Sequence, residues 1–537
     1  MALLSFAAIA VLPGCLKDSR EIIEKASKVS KVTWDPEIAI PLVKTKMSIS
    51  DMVEQSTLSF VKTDPDGLVV IAYRGQVFSQ SAEEFVELDN QTFTESLTLS
   101  PSQQIYFESN GSIQLQFSDF MTFDVGGIEI DSMIMKVCSN QMRFVSNFQH
   151  DVEMTFNFPD VTKNGVPFSF KLDGAYTGGA VDKSTNINLS GYNFDMTKGP
   201  MGYNQIRVNV DLKLTKKGSN PVLPGNKIDV SVLMYYNEYK LLYGYVGQEN
   251  FLVSSDSLSL DLLGKVTGGN YTLEDPRLKL IMHNSLGVPI RARIPVLQSY
   301  SVKNGAINIT GVPNPLPLPI PNYSQVGQVL TDSVVLNKGN SNIATAINNK
   351  PEKIVYGFDV TANPAGKTVR NFVMDTSRVT FEVDVEIPLH GSASNMVLEQ
   401  EQPIEFDLEE DIDMLERVLV RLAVENGFPL EVKMNIYLLD SGKTVLDSLF
   451  SGVTSILPSP NVNFATGKVT APSKNIIDIT INKSRLENLR KTKSVLIKAA
   501  LNTSRNSGNI APVKIYTEYE LGVRIGVQAK IKLDDKL

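Results

Sequence analysis

The chain has 537 residues, a formal net charge of -8, and 42% hydrophobic against 20% charged residues. That length exceeds one ordinary core and fits about three or four domains. The hydrophobic share excludes global disorder, and the acidic balance excludes diffuse attraction to nucleic acid or anionic lipid. Cys15 and Cys138 are the two cysteines, too few for a disulfide framework or a four-cysteine metal site. His150, His283 and His390 lie far apart and in no HExxH or HxH pattern, so zinc catalysis and histidine acid–base chemistry lack raw material.

Residues 2–12 are apolar apart from Ser5. The run is too short to span a bilayer, which takes about 20 apolar residues, but it suits a signal-peptide core of about 7–15. It ends in Leu12-Pro13-Gly14-Cys15. Run and ending together resemble the leader and lipobox of bacterial lipoproteins, in which the Cys thiol receives diacylglycerol and becomes the acylated N-terminus after cleavage. The resemblance implies a signal peptide over 1–14, Cys15 as the lipid anchor with palmitate-type chains, and an outer-membrane location. Each buried CH₂ of such chains contributes roughly 0.8 kcal/mol to membrane retention. Pro13 departs from the motif, and no Lys or Arg precedes the apolar run, which leaves open a natural start upstream of Met1. Lys17-Asp18-Ser19 matches in part the Lys/Ser-plus-acid cluster of Bacteroidota-type lipoproteins sent to the cell surface, so the periplasmic or surface face stays open. No later stretch is long and apolar enough for a membrane-spanning helix.

After the anchor, Ile22, Ile23, Ala26 and Val29 fall at helical spacing and predict a short amphipathic helix over 17–30. A second short helix is expected from Ser48 or Ser50, capping Asp51-Met52-Val53-Glu54. From about 57 to 305 the period is mostly two. Ser112-Ile113-Gln114-Leu115-Gln116-Phe117 alternates, as do residues 152–158 and 206–214. Asp64-Pro65-Asp66-Gly67 and Lys163-Asn164-Gly165 supply turns between such runs. Pro313, Pro315, Pro317, Pro319 and Pro321 occupy alternate positions and predict an extended connector or edge, because proline offers no ladder donor.

Two elements recur. The first is a strand, an Asn-containing turn and a second strand, at 278–294 around Asn284 and at 419–436 around Asn426; a weaker copy surrounds Asn147. Asn caps such a turn with its amide, Pro stands where the next strand begins, and the apolar residue between them tucks under the turn. The second is a strand, a capped helix and a strand. One copy contains Leu336-Asn337-Lys338 followed by a helix capped by Ser341 or Asn340. The other contains Ile481-Asn482-Lys483 followed by a helix with a Ser484/Glu487 capping box. The starts, 278 and 335 against 419 and 480, keep order and near-equal spacing, which is the mark of a duplicated module.

These residues predict a mostly β chain of tandem antiparallel β-sandwich domains with a few short capped helices. The expected organisation is a lipid-anchored tether with short helices at 15–56, N-terminal β-domain or domains at 57–264, and two β modules at 265–400 and 401–537. Asp275-Pro276 with Asn284 resembles the Asn-Pro start and later Asn of the late-embryogenesis-abundant and water-stress (WHy) β-sandwich family. Asp stands for Asn at 275 and the second copy lacks this start. The resemblance covers about 40 residues per copy and implies a fold rather than an activity.

The acidic run 405–416 lacks Ca²⁺-loop spacing and reads as a solvated face. Tyr235, Tyr236, Tyr239, Tyr243 and Tyr245 could offer stacking faces to a sugar, although alternate strand tyrosines usually pack across a sheet, and Trp34 is the one tryptophan. Cys138 lies in an alternating run in which Lys136 is expected to share its face and lower its pKa slightly; a buried thiol is favoured over a nucleophile. No GxSxG, P-loop or GxGxxG pattern occurs. No catalytic, cofactor or metal residues are therefore expected. The chain reads as a non-enzymatic envelope protein that binds or scaffolds at the outer membrane, held by its acyl chains, with protein partners in the envelope. The alternatives are a lipid or hydrophobic-ligand carrier, whose groove would be lined by the helices after Ser341 and Ser484, and a carbohydrate-binding or adhesive surface protein.

Overall fold

The computed structural model describes residues 37–48, 59–84, 86–260, 266–403, 415–450, 452 and 454–531. The expected leader, Cys15, the helices predicted over 17–30 and from Ser48 or Ser50, Trp34 and nearly all of the acidic run lie outside them. The described chain is mostly β, in several antiparallel sheets, with three short α-helices: Pro101–Asn110, Ile343–Asn348 and Lys483–Lys491.

Alternation sets the strands. In Asp151–Lys163 the side chains of Val152, Met154, Phe156 and Phe158 are buried, and in Gln205–Thr215 those of Ile206, Val210, Leu212 and Leu214. The turn Asn164-Gly165 has positive φ at both positions (52° and 77°), the backbone that lets two antiparallel strands close with a matching twist. It joins Asp151–Lys163 to Val166–Gly174. Asp64-Pro65-Asp66-Gly67 joins Ser59–Thr63 to Val69–Ser81, with the Gly67 amide donating to the Asp64 carbonyl at 2.9 Å.

Ten strands make the N-terminal sheet. Its main path runs Asn371–Met374, Ile228–Tyr245, Glu129–Ser146, Asn193–Asp195, Asp151–Lys163, Gln205–Thr215 and Ser112–Thr122. The helix Pro101–Asn110 interrupts the two-residue period. Ser100 caps it through a full capping box with Gln103, and Gly111 ends it in the left-handed region.

Two sandwiches follow, and they share one plan. In the first, a sheet ordered Leu330–Leu336, Arg277–Asn284, Arg378–Pro388, Val69–Ser81 and Ser59–Thr63 faces a sheet ordered Asn250–Ser259, Lys353–Ala362, Ile290–Ser301 and Gly305–Asn308. Phe78, Phe358 and Phe381 meet between these sheets at 5.2–6.2 Å. In the second, a sheet ordered Ser473–Asn482, Leu415–Asn426, Glu520–Ile531 and Glu37–Ser48 faces one containing His390–Pro403, Ser494–Thr503 and Leu430–Leu439 in that order. The strands bearing Asn284 and Asn426 hold the same place in the two sheets. So do Leu330–Leu336 and Ser473–Asn482, which lead into Asn337 and end in Asn482, and those that follow the helices.

The matching asparagines do matching work. Asn284 accepts from the Leu286 amide and donates to the Pro319 carbonyl, both at 2.9 Å. Asn426 accepts from the Phe428 amide at 3.0 Å and donates to the carbonyls of Leu430 and Pro458 at 2.8 and 3.0 Å. Leu286 and Phe428 are buried beneath their turns. The proline run carrying Pro319 is an irregular connector laid over the first sandwich, with Leu316 buried and its amide bonded to the Ala292 carbonyl at 2.8 Å.

The caps depart from expectation. Asn342, not Ser341 or Asn340, stands at the N-cap of Ile343–Asn348 and makes no side-chain cap bond; Ser341 accepts from the Ile343 amide at 3.2 Å, and Asn340 closes the preceding turn onto the Val335 carbonyl. At the later helix, Asn482 caps the Arg485 amide at 3.2 Å, and Ser484 turns back to donate to the same Asn482 oxygen at 2.8 Å. The helix begins two residues earlier than the Ser484/Glu487 box required, so Asn482 takes the capping position.

Sheets recruit strands from distant sequence. Glu37–Ser48, within the segment read as a tether, pairs with the C-terminal strand Glu520–Ile531, and Val69–Ser81 pairs with Arg378–Pro388. Asn371–Met374 leaves the first sandwich to join the N-terminal sheet. There Arg370 binds Asp131 and Glu129, and Lys367 reinforces Glu129 at 2.7 Å. The Lys367 and Arg370 partners hold the Glu129 carboxyl below its usual value against the cost of burial. One hydrophobic core runs through the N-terminal sheet and the first sandwich; a second fills the other sandwich.

Candidate functional site

Several of the chemistry-bearing side chains singled out in the sequence are taken up by packing. Cys138 is buried, receives a hydrogen bond from the Asn140 amide nitrogen at 3.3 Å, and has its thiol pushed up to about 11 by burial. Lys136 does not share its face and does not lower its pKa. Irregularities in the pairing with Ile228–Tyr245 reset the alternation between Met135 and Cys138, so Met135 and Cys138 both point inward while Lys136 pairs outside with Asp375 at 3.1 Å.

His150 is buried against the Phe107 ring, 4.8 Å between centroids, and accepts from the Lys217 amide at 3.4 Å. His283 lies on a strand beside Thr331, 2.8 Å away.

The five tyrosines do not form one face. Tyr236 is 72% exposed and meets Tyr235 edge-on at 5.3 Å. Tyr239 is buried and donates to the Ala82 carbonyl at 3.1 Å. Tyr243 packs on Tyr323 and Phe372, and Tyr245 is buried with Lys367 over its ring. The same irregularities divide the row between the two faces, which removes the continuous platform that a sugar would need.

The strongest candidate site is a cavity of about 180 Å³ at the junction of the two sandwiches. Ile71 and Ile387 come from the first; Met396, Leu430, Thr503 and Val513 come from the second. Leu389, which joins the two, also lines it, and the Tyr271–Leu273 edge closes another side. The cavity is half open, and its wall is almost wholly apolar. His390, half-buried at the same place, has its imidazole lowered by burial and then by Lys514, with Glu274 opposing.

Neither helix after Ser341 or Ser484 lines this cavity, contrary to the groove expected from sequence. The helix Ile343–Asn348 only backs its wall: Asn348 accepts from the Leu273 amide at 2.8 Å and donates to the Leu273 carbonyl at 3.1 Å. The sequence signal for the cavity is faint, an apolar crossover of Ile387-Pro388-Leu389 between the two modules. Among the described residues no group of three or more His, Cys, Asp or Glu is placed to hold a metal ion, and no helix is long and apolar enough to cross a membrane.

No protein-family model matches the chain, and no curated protein matches it. Among solved structures it is similar to a crystal structure of a "putative secreted protein" from Parabacteroides distasonis. The two have 10% sequence identity and a TM-score of 0.24, and the match covers 92% of this chain and 99% of the other. The functional reading therefore rests on the residues themselves.

Proposed function

We propose that this chain is a non-catalytic envelope lipoprotein, attached to the outer membrane through acyl chains on Cys15, whose β body binds or scaffolds partners. The observation that carries the reading is Cys15 at the end of an N-terminal apolar run. The burial of Cys138 and His150 adds support, since these two side chains are used for packing. Residues 265–400 and 401–537 act in this reading as two copies of one WHy-like module, supported by the paired turns at Asn284 and Asn426. Expression in a Gram-negative host with mass analysis tests the anchor. Wild-type protein should carry acyl chains on Cys15 and sediment with membranes; Cys15→Ala should be unmodified and soluble. An unmodified Cys15 thiol on membrane-retained wild-type protein would overturn it.

A second reading, hydrophobic-ligand binding, is favoured by the apolar junction cavity. It is compatible with the anchor but does not depend on it.

A further inference from the structure

We infer that the junction cavity takes one small apolar group, about the size of a substituted benzene ring, and does not take the chains of a membrane lipid. The inference rests on the hydrophobic-ligand reading and narrows it to a ligand class.

Size comes first. Cavities of about 150 Å³ lined by aliphatic and aromatic side chains stay dry and bind benzene. At about 180 Å³ this one has room for a ring with a small substituent. Sites for drug-sized molecules run to roughly 300–1,000 Å³.

Polarity comes next. The wall is almost wholly apolar, and its Thr503 hydroxyl and strand backbones are already paired. The Thr503 hydroxyl donates to the Ala511 carbonyl at 3.0 Å and receives the Ala393 amide at 3.3 Å. Ser392, Gly391 and His390 pair through their backbones with Thr272, Leu273 and Lys514. A water held there would need two to four polar partners, so an apolar occupant is favoured over ordered water. The occupant is selected by shape, not by hydrogen bonds.

Rigidity is the third observation. A Cβ on Gly391 would stand 2.2 Å from the Thr272 carbonyl oxygen, so these two strands are in close backbone contact. The void lies beside a tightly packed wall that has little freedom to collapse into it.

The test uses the full chain with Cys15→Ala, titrated with toluene and separately with dodecanoate, with binding followed by NMR of the Ala393 and Leu430 methyls. Toluene should bind and shift both. Ala393→Leu, which fills the space from a buried position, should weaken toluene binding tenfold or more; Leu430→Phe does the same from another strand of that sheet if the first variant fails to fold. Toluene binding undiminished in a folded filling variant would overturn the assignment to this cavity. Dodecanoate shifting these methyls while toluene does not would overturn the ring-sized class and leave the hydrophobic-ligand reading standing. Neither probe binding would overturn both.

Discussion

Replacing Asn284 by Ala probes the turn that both sandwiches repeat. Asn284 is fully buried; its oxygen receives the Leu286 amide and its nitrogen serves the Pro319 carbonyl, each at 2.9 Å. Ala abolishes both bonds. The Leu286 amide, on a fully buried residue, is left without a partner, which costs about 1–3 kcal/mol. Pro319 is half-buried and can recover water, so its lost bond adds only about 0.5–1.5 kcal/mol. The expected destabilisation is thus about 2–4 kcal/mol. Asn284→Asp keeps the acceptor but sets a carboxylate against the Pro319 carbonyl, and should lose nearly as much. Urea unfolding gives the total, and amide hydrogen exchange gives the location. Leu286 protection should collapse in Asn284→Ala while Phe428 is unchanged, and Asn426→Ala should do the reverse. If both Ala variants stay within about 0.5 kcal/mol of wild type with protection intact, the turn asparagines do not hold the modules as argued here.

Other outcomes follow from the same contacts. Burial holds the His150 imidazole low, with Glu108 opposing, so the unfolded chain takes up that proton more readily. Stability should therefore fall as pH drops below about 6.5, with a slope under about 1.4 kcal/mol per pH unit from this group. His150→Phe should flatten that slope in urea titrations at pH 7 and 5.5, and an unchanged slope would remove His150 as its source. In a Cys15→Ser chain, Cys138 should resist a disulfide reagent at pH 8 and react once urea unfolds the protein; fast labelling of folded protein would contradict its burial. Asp384 is fully buried between Lys62 and Arg74, each 2.7 Å away. Removing both partners as Lys62→Met/Arg74→Met strands that buried carboxylate and should cost about 3–5 kcal/mol in urea unfolding; a loss under about 1 kcal/mol would argue against a stranded charge.

Local features were legible in the sequence where the cause is local. Alternation at 152–158 and 206–214 marks buried strands because a strand exposes one face to the core. Lys163-Asn164-Gly165 marks a hairpin because both turn residues need positive φ. The paired asparagines at 284 and 426 were legible as a repeat because each turn needs the same amide at the same point. The helix Pro101–Asn110 was missed although Ser100, Pro101 and Gln103 spell its start, since the surrounding period of two masked it. The faces of Lys136 and the tyrosines were not legible, because one irregularity in strand pairing inverts every later side chain and depends on the partner strand. Neither was the junction cavity: its wall joins Ile71 to Thr503, and only sheet pairing across the whole chain brings those together.

The pairing of Glu37–Ser48 with Glu520–Ile531 sets a timetable for biogenesis. A chain delivered amino end first presents the earlier strand long before its mate exists. Through that wait its amides and carbonyls form an open template for any passing strand. The second sandwich completes this sheet only when residues 520–531 arrive, so a nascent or truncated product stopping short of residue 520 keeps this template uncovered. Quality control that recognises unpaired strands would therefore distinguish full-length from shortened chains at a point far from where they differ.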